Sequence, residues 1–128
     1  MIELILPELP DTLLKDRLIE LNSNPGLSTT KAVAMLGTGG YVVHSVPFAI
    51  FCASKVREIG LQQMFTEIIA AGGDTDTNAS IAGQIAGTLI GNQGIPAALL
   101  DQLKLLKEYD WISLTVQRLK ESLRDNCE

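Results

Sequence analysis

From Leu14 to Leu123 the apolar residues of this chain recur at intervals of three and four, and no stretch alternates in a sustained way. That interval is the repeat of one helix face, whereas a half-buried strand repeats every second residue. The pattern predicts an all-α chain. Leu14, Leu18 and Leu21 share a face in a helix opened by Pro10 and Asp11, and Asn22 to Gly26 closes it. Ser28, Thr29 and Thr30 are placed to cap a short helix through Leu36. Gly37-Thr38-Gly39-Gly40 then breaks the pattern. Ser45 is the expected cap of the next helix, with Pro47 in its first turn and Val46, Ala49, Ile50 and Ala53 as its apolar stripe. Gly60 separates this stripe from Leu61, Met64, Phe65 and Ile68. A further helix carries Ala82, Ile85, Ala86 and Leu89 and stops at Gly91. Pro96 suits the start of a helix with Leu99, Leu103 and Leu106, and Ile112, Val116, Leu119 and Leu123 mark the last.

The expectation is one domain over residues 1–128, a compact bundle of about seven helices with short connections. A chain of this length can bury roughly two-thirds of its unfolded surface. Its 46% apolar content is that of a folded protein. The net charge is −5, with lysines and arginines scattered. That argues against a nucleic-acid partner and against an anionic membrane surface, both of which need clustered positive charge. Met1-Ile2-Glu3-Leu4 lacks the basic and then apolar regions of a signal peptide. No apolar run approaches the roughly 20 residues that span a bilayer, and the expected location is the cytoplasm. Cys52 and Cys127 lie far apart, without disulfide-framework or zinc spacing, and read as reduced thiols. The late charges Lys104, Lys107, Arg118, Lys120 and Arg124 read as solvated helix faces.

Chemistry concentrates in Gly72-Gly73-Asp74-Thr75-Asp76-Thr77, just before an apolar helix rich in small residues. Two carboxylates two residues apart can reach one centre, and a hydroxyl follows at Thr77. The glycines permit unusual backbone angles. Such oxygens suit a hard cation, Mg²⁺ or Mn²⁺. The same residues are also ordinary helix N-caps, and both readings stand. The helix dipole disfavours a cation, so Asp74 and Asp76 must supply the charge. An EF-hand reading fails, because Ala79 stands where the loop needs glycine and Ile85 where it needs a bidentate acid. Asn78-Ala79-Ser80 is a glycosylation sequon without a secretion signal. Gly83 and Gly87, one turn apart, read as close helix packing rather than a membrane seam.

Gly72 to Thr77, followed by Ile81-Ala82-Gly83-Gln84-Ile85-Ala86-Gly87, resembles the C-terminal metal motif of the ADP-ribosylglycohydrolase family, which includes dinitrogenase reductase-activating glycohydrolase. Gly39-Gly40-Tyr41-Val42-Val43 resembles the second conserved stretch of that family. The likeness runs from about Leu13 to Leu106. It implies an all-α fold with a two-metal centre, usually Mg²⁺ or Mn²⁺, that hydrolyses ADP-ribosyl bonds. On the matching positions it implies Asp74, Asp76 and Thr77 as metal ligands and Gly39, Gly40 and Tyr41 as the lining of the ADP-ribose cleft. His44, the one histidine, follows near that cleft as a candidate base or a surface residue.

Members of the family are longer, and their N-terminal half carries a Thr-Asp-Asp metal motif and a further acid that nothing here matches. Asp16 and Glu20, for instance, fall on a solvent-facing helix pattern. The chain therefore resembles the C-terminal half alone. The resemblance implies ADP-ribose or an ADP-ribosylated protein as substrate and a metal-dependent hydrolase of ADP-ribosyl bonds, inactive as an isolated chain. The alternative is a non-catalytic helical module that binds ADP-ribose or a partner. A homodimer mate or a separately encoded N-terminal half would cover its exposed apolar faces.

Overall fold

In the computed structural model, which describes residues 2–125, all the regular structure is helical. Cys127 lies outside the described residues. The chain forms two compact units, Met1–Gly94 and Ile95–Glu128. The first holds α1 (Ile2–Ile5), α2 (Leu13–Asn22), α3 (Thr29–Leu36), α4 (Val42–Ser54), α5 (Val56–Ala71) and α6 (Thr75–Ile90). Short 3₁₀ turns, Leu6–Glu8 and Asn92–Gly94, complete it. The second holds α7 (Ala97–Lys104) and α8 (Tyr109–Asp125). Among the described residues these are the seven expected helices plus α1. None of them is long and apolar enough to cross a membrane.

Side-chain caps start α2 and α3. Thr12 Oγ1 accepts from the Lys15 N–H and Ser28 Oγ from the Lys31 N–H, each at 3.4 Å. These bonds satisfy donors that the first turn leaves free. Helix α4 begins three residues before the expected cap. Tyr41, in extended conformation, is its N-cap, and Pro47 falls in the second turn rather than the first. The reason is local. Nothing after Gly40 opposes helix formation, and the Tyr41 carbonyl accepts from the His44 and Ser45 N–H groups at 2.8 and 2.9 Å. The Ser45 hydroxyl donates to the same carbonyl at 3.3 Å, inside the turn it was expected to begin. Gly60, at φ 79 and ψ 162, breaks α5 into two helical pieces, as its position implied. Residues other than glycine essentially never adopt that conformation.

Helix α4 is the centre of the first unit and packs against α2, α3, α5 and α6. Phe48, Ala49 and Ala53 on it are wholly buried, as are Ala82 and Ala86 on α6. Short side chains on both helices let the axes come close. The close approach expected at Gly83 and Gly87 is thus carried mainly by the alanines one position earlier. A Cβ at Gly83 would lie 3.2 Å from the Phe65 ring, and one at Gly87 would meet nothing within 4 Å. Leu18, Leu36, Met64 and Ile68 fill the rest of the core. Burying side chains of this size contributes roughly 1.5–3 kcal/mol each. Cys52 is a free, buried thiol, pushed up to about 12 by burial and then by the charge of Glu67, with Lys55 opposing. It stays a thiol and behaves as a small apolar group.

One charged cluster ties α3 to α5. The Thr29 hydroxyl donates to Glu67 Oε2 at 2.5 Å, and Lys55 Nζ donates to both Thr29 Oγ1 and Glu67 Oε2 at 3.1 Å. Lys55 Nζ also lies 5.4 Å from the centre of the Phe51 ring. The Thr29 hydrogen bond, helped by Lys55 and opposed by burial, holds the Glu67 carboxyl below its usual value of 4.5. A lowered folded value means that Glu67 stabilises the fold above the unfolded value and stops doing so as pH falls through the folded one. Glu67→Gln is expected to cost about 2 kcal/mol near neutral pH, the size of a hydrogen bond to a charged group. Urea unfolding at neutral pH and at about pH 3 should show that gap closing in acid.

Candidate metal centre

Helix α5 ends at Ala71, and two glycines turn the chain into α6. Gly72 and Gly73 both have positive φ, 70° and 77°. Asp74 follows as the N-cap of α6. Its Oδ1 accepts from the Thr77 N–H at 3.4 Å, and its backbone carbonyl accepts from the Asn78 N–H at 3.0 Å. Capping therefore occupies Asp74. Asp76, in the first turn, is exposed.

Two glycines bring this turn against the Gly37–Gly40 segment. A Cβ at Gly73 would run into the hydroxyl and the carbonyl of Thr38. A Cβ at Gly40 would overlap the Asp74 carboxylate. Only hydrogen fits at either place, so the two loops meet at backbone distance. Their junction is the Thr38 carbonyl. It accepts from the Asp74 N–H at 2.9 Å and from Asn78 Nδ2 at 2.8 Å. Asn78 is wholly buried, and its Oδ1 has no hydrogen-bond partner. A buried carbonyl oxygen left in that state costs about 1–3 kcal/mol.

The Asp76 carboxyl sits below the usual carboxylate range, chiefly through a hydrogen bond with the Asp74 carboxyl and also through the backbone N–H groups of Thr77 and Asp76. Asp74, Asp76 and Thr77 together offer only hard oxygen donors, which fit Mg²⁺ or Mn²⁺ and not a soft metal. Two acids side by side at a helix N-terminus form a compact anionic pair that a divalent ion would neutralise. Among the described residues no group of three or more His, Cys, Asp or Glu side chains converges as a metal site would require.

The Gly-Gly-Tyr stretch divides its contacts. Gly40 lies on Asp74, and Gly39 lies beside His44, with its Cβ direction 3.6 Å from Nδ1. Tyr41 is 60% exposed and meets the His44 ring edge-on, with centroids 5.6 Å apart. Tyr41 also lines an open, mainly apolar cleft of about 510 Å³ with Leu9, Pro10, Leu13 and Val42. His44 is half-buried in the first turn of α4, its ring 3.2 Å from where a Gly37 Cβ would stand. It buttresses the glycine turn by packing.

Thr38 and Asn78 are the site residues that sequence reasoning missed. Thr38 acts through its backbone, so its side chain carried no signal. Asn78 did carry one. The buried face of α6 runs through Ala86 and Ala82, and one turn back it reaches Asn78. A polar amide on an apolar face is informative because burial without partners is costly.

These features define an all-α protein with an aspartate pair set against a glycine turn. The ADP-ribosylglycohydrolase family model matches residues 5–128, and the chain belongs to that family. It is 29% identical over 126 residues to ADP-ribosylhydrolase ARH3 of Bos taurus, covering 91% of this chain and 34% of the relative. The Homo sapiens ARH3 is likewise 29% identical over 126 residues, with 91% and 35% covered. The Danio rerio ARH3 is 37% identical over 89 residues, covering 62% of this chain and 24% of that protein. The chain thus spans about a third of the length of the first two. No solved structure matches it.

The glycine geometry makes a direct prediction. Gly73→Ala combines a positive φ with collision against Thr38 and should destabilise by about 3 kcal/mol. Gly87→Ala, helical and unobstructed, should be neutral or stabilise by about 0.5–1 kcal/mol. Urea unfolding of the two variants beside the parent chain checks the opposite signs.

Proposed function

We propose that this chain supplies one side of a divalent-metal centre that hydrolyses ADP-ribosyl bonds. The observation that carries the reading is the contact of Gly40 with the Asp74 carboxylate. It joins the two family segments, metal motif and glycine-tyrosine stretch, into one site. The names of the relatives, ADP-ribosylhydrolases, support the same reaction class. Asp74, Asp76 and Thr77 would hold Mg²⁺ or Mn²⁺ through oxygen. When bound, such a cation supplies charge stabilisation for ribose oxygens and a more acidic water. ADP-ribose or an ADP-ribosylated protein would lie beside the carboxylates and the Gly39-Gly40 turn, and the exposed Tyr41 ring offers a face to a base or sugar. Cytoplasmic action agrees with a free buried thiol at Cys52.

Two carboxylates and a hydroxyl are few ligands for a centre of two ions. Mg²⁺ held this way keeps most of its water and binds weakly. The purified chain should therefore bind Mn²⁺ weakly and release no ADP-ribose from a modified protein. In calorimetric titration with Mn²⁺, Asp74→Ala and Asp76→Ala should abolish the binding heat. An unchanged heat in both variants would leave these residues as helix caps only. Turnover by the chain alone would overturn the one-sided reading.

A second reading is favoured by the Ile95–Glu128 unit. There α8 exposes Val116, Leu119 and Leu123, which share one helix face. Large apolar side chains in such a row mark a surface made for covering. A second copy of the chain, or a separately encoded half of the family fold, would cover them without any catalysis. Light scattering should give a mass above that of one chain. A monomer in dilute solution would speak against the homodimer.

A further inference from the structure

The buried amide of Asn78 is spent on one bond. Its Nδ2 donates to the Thr38 carbonyl at 2.8 Å, while its Oδ1 has no partner. An apolar side chain of similar volume would fill the same space without leaving an oxygen unsatisfied. The amide is therefore poorly explained as packing. What it does is geometric. The Thr38 carbonyl has two lone pairs, one taken by the Asp74 N–H at 2.9 Å and the other by Asn78. With both filled, the carbonyl cannot swing. The Asp74 backbone, the Gly37–Gly40 turn and the first turn of α6 are then fixed with respect to one another.

We infer that Asn78 is a positioning residue for the cation and substrate segments, holding Asp74 and Gly40 in place through the Thr38 carbonyl. This inference rests on the metal reading of Asp74, Asp76 and Thr77. Groups that orient metal ligands from behind typically change affinity by about 10- to 100-fold when removed. Asn78→Leu removes the donor and the unsatisfied oxygen together and keeps the branched, four-heavy-atom shape, with bulkier methyl groups. It separates positioning from stability, because a purely structural role would move affinity and melting temperature together.

The test is Mn²⁺ titration of the full chain, followed by the electron paramagnetic resonance signal of the free ion, with thermal unfolding of each variant in parallel. For Asn78→Leu the expected result is Mn²⁺ binding at least about 10-fold weaker, with a melting temperature within roughly 5 °C of the parent, since relief of the unsatisfied oxygen and the bulk of the methyl groups offset each other. The Asp74 amide resonance in a ¹⁵N spectrum should shift as its acceptor loosens. Binding within twofold of the parent, with that resonance unmoved, would overturn the inference. If Asn78→Leu does not fold, Asn78→Ala is read by the same two signals. Asp74→Ala serves as the control for the underlying reading. If the parent shows no Mn²⁺ binding that Asp74→Ala removes, the metal reading fails. If that binding exists and Asn78→Leu retains it, only the inference about Asn78 fails.

Discussion

Helix α4 is buried along most of its length, and α2, α3, α5 and α6 all pack against it. The site depends on this packing more than on any contact within itself. Helix α4 opens immediately after the glycine turn, so its position fixes where Gly37–Gly40 lies. Helix α6 can approach α4 closely because both present alanine at their buried faces. That approach brings the N-terminus of α6, with Asp74 and Asp76, up to the start of α4. Larger side chains at Ala49, Ala53, Ala82 or Ala86 would separate the helix axes and draw the aspartates away from the glycines. The chemistry is thus held in place by side chains that have no chemistry of their own.

The helices were legible because burial writes its period into the sequence. Leu14, Leu18 and Leu21 share a face on α2, where Leu18 and Leu21 are buried, and Ser28 caps α3 as its residue type implies. The start of α4 was misread because Ser45 is a good cap by composition. Its hydroxyl instead found the Tyr41 carbonyl within a helix already under way. Helix α1 escaped notice because four residues with no buried side chain leave no periodic trace.

The aspartates were legible for a different reason. Two acids and two glycines before an apolar helix form a local pattern, and a local pattern can be read from a list of residues. The meeting of that pattern with Gly40 is tertiary. Gly40 looked like a turn residue and turned out to be a space reserved for the Asp74 carboxylate. Thr38 was invisible, since a backbone carbonyl has no letter in the sequence. Asn78 stood in view on an apolar face, and the cost of burying its amide was the available clue.

The contact between Gly40 and Asp74 has a consequence for how such a site can change over time. A methyl group at residue 40 is blocked by the carboxylate, and no shorter acidic side chain exists to replace aspartate at residue 74. Bulk at residue 40 therefore cannot come first while the Asp74 carboxylate keeps its place. In proteins descended from this chain, loss of the pair would begin at the aspartate. A lineage that lost the aspartate would lose the selection against bulk at the glycine as well, so the two should decay together.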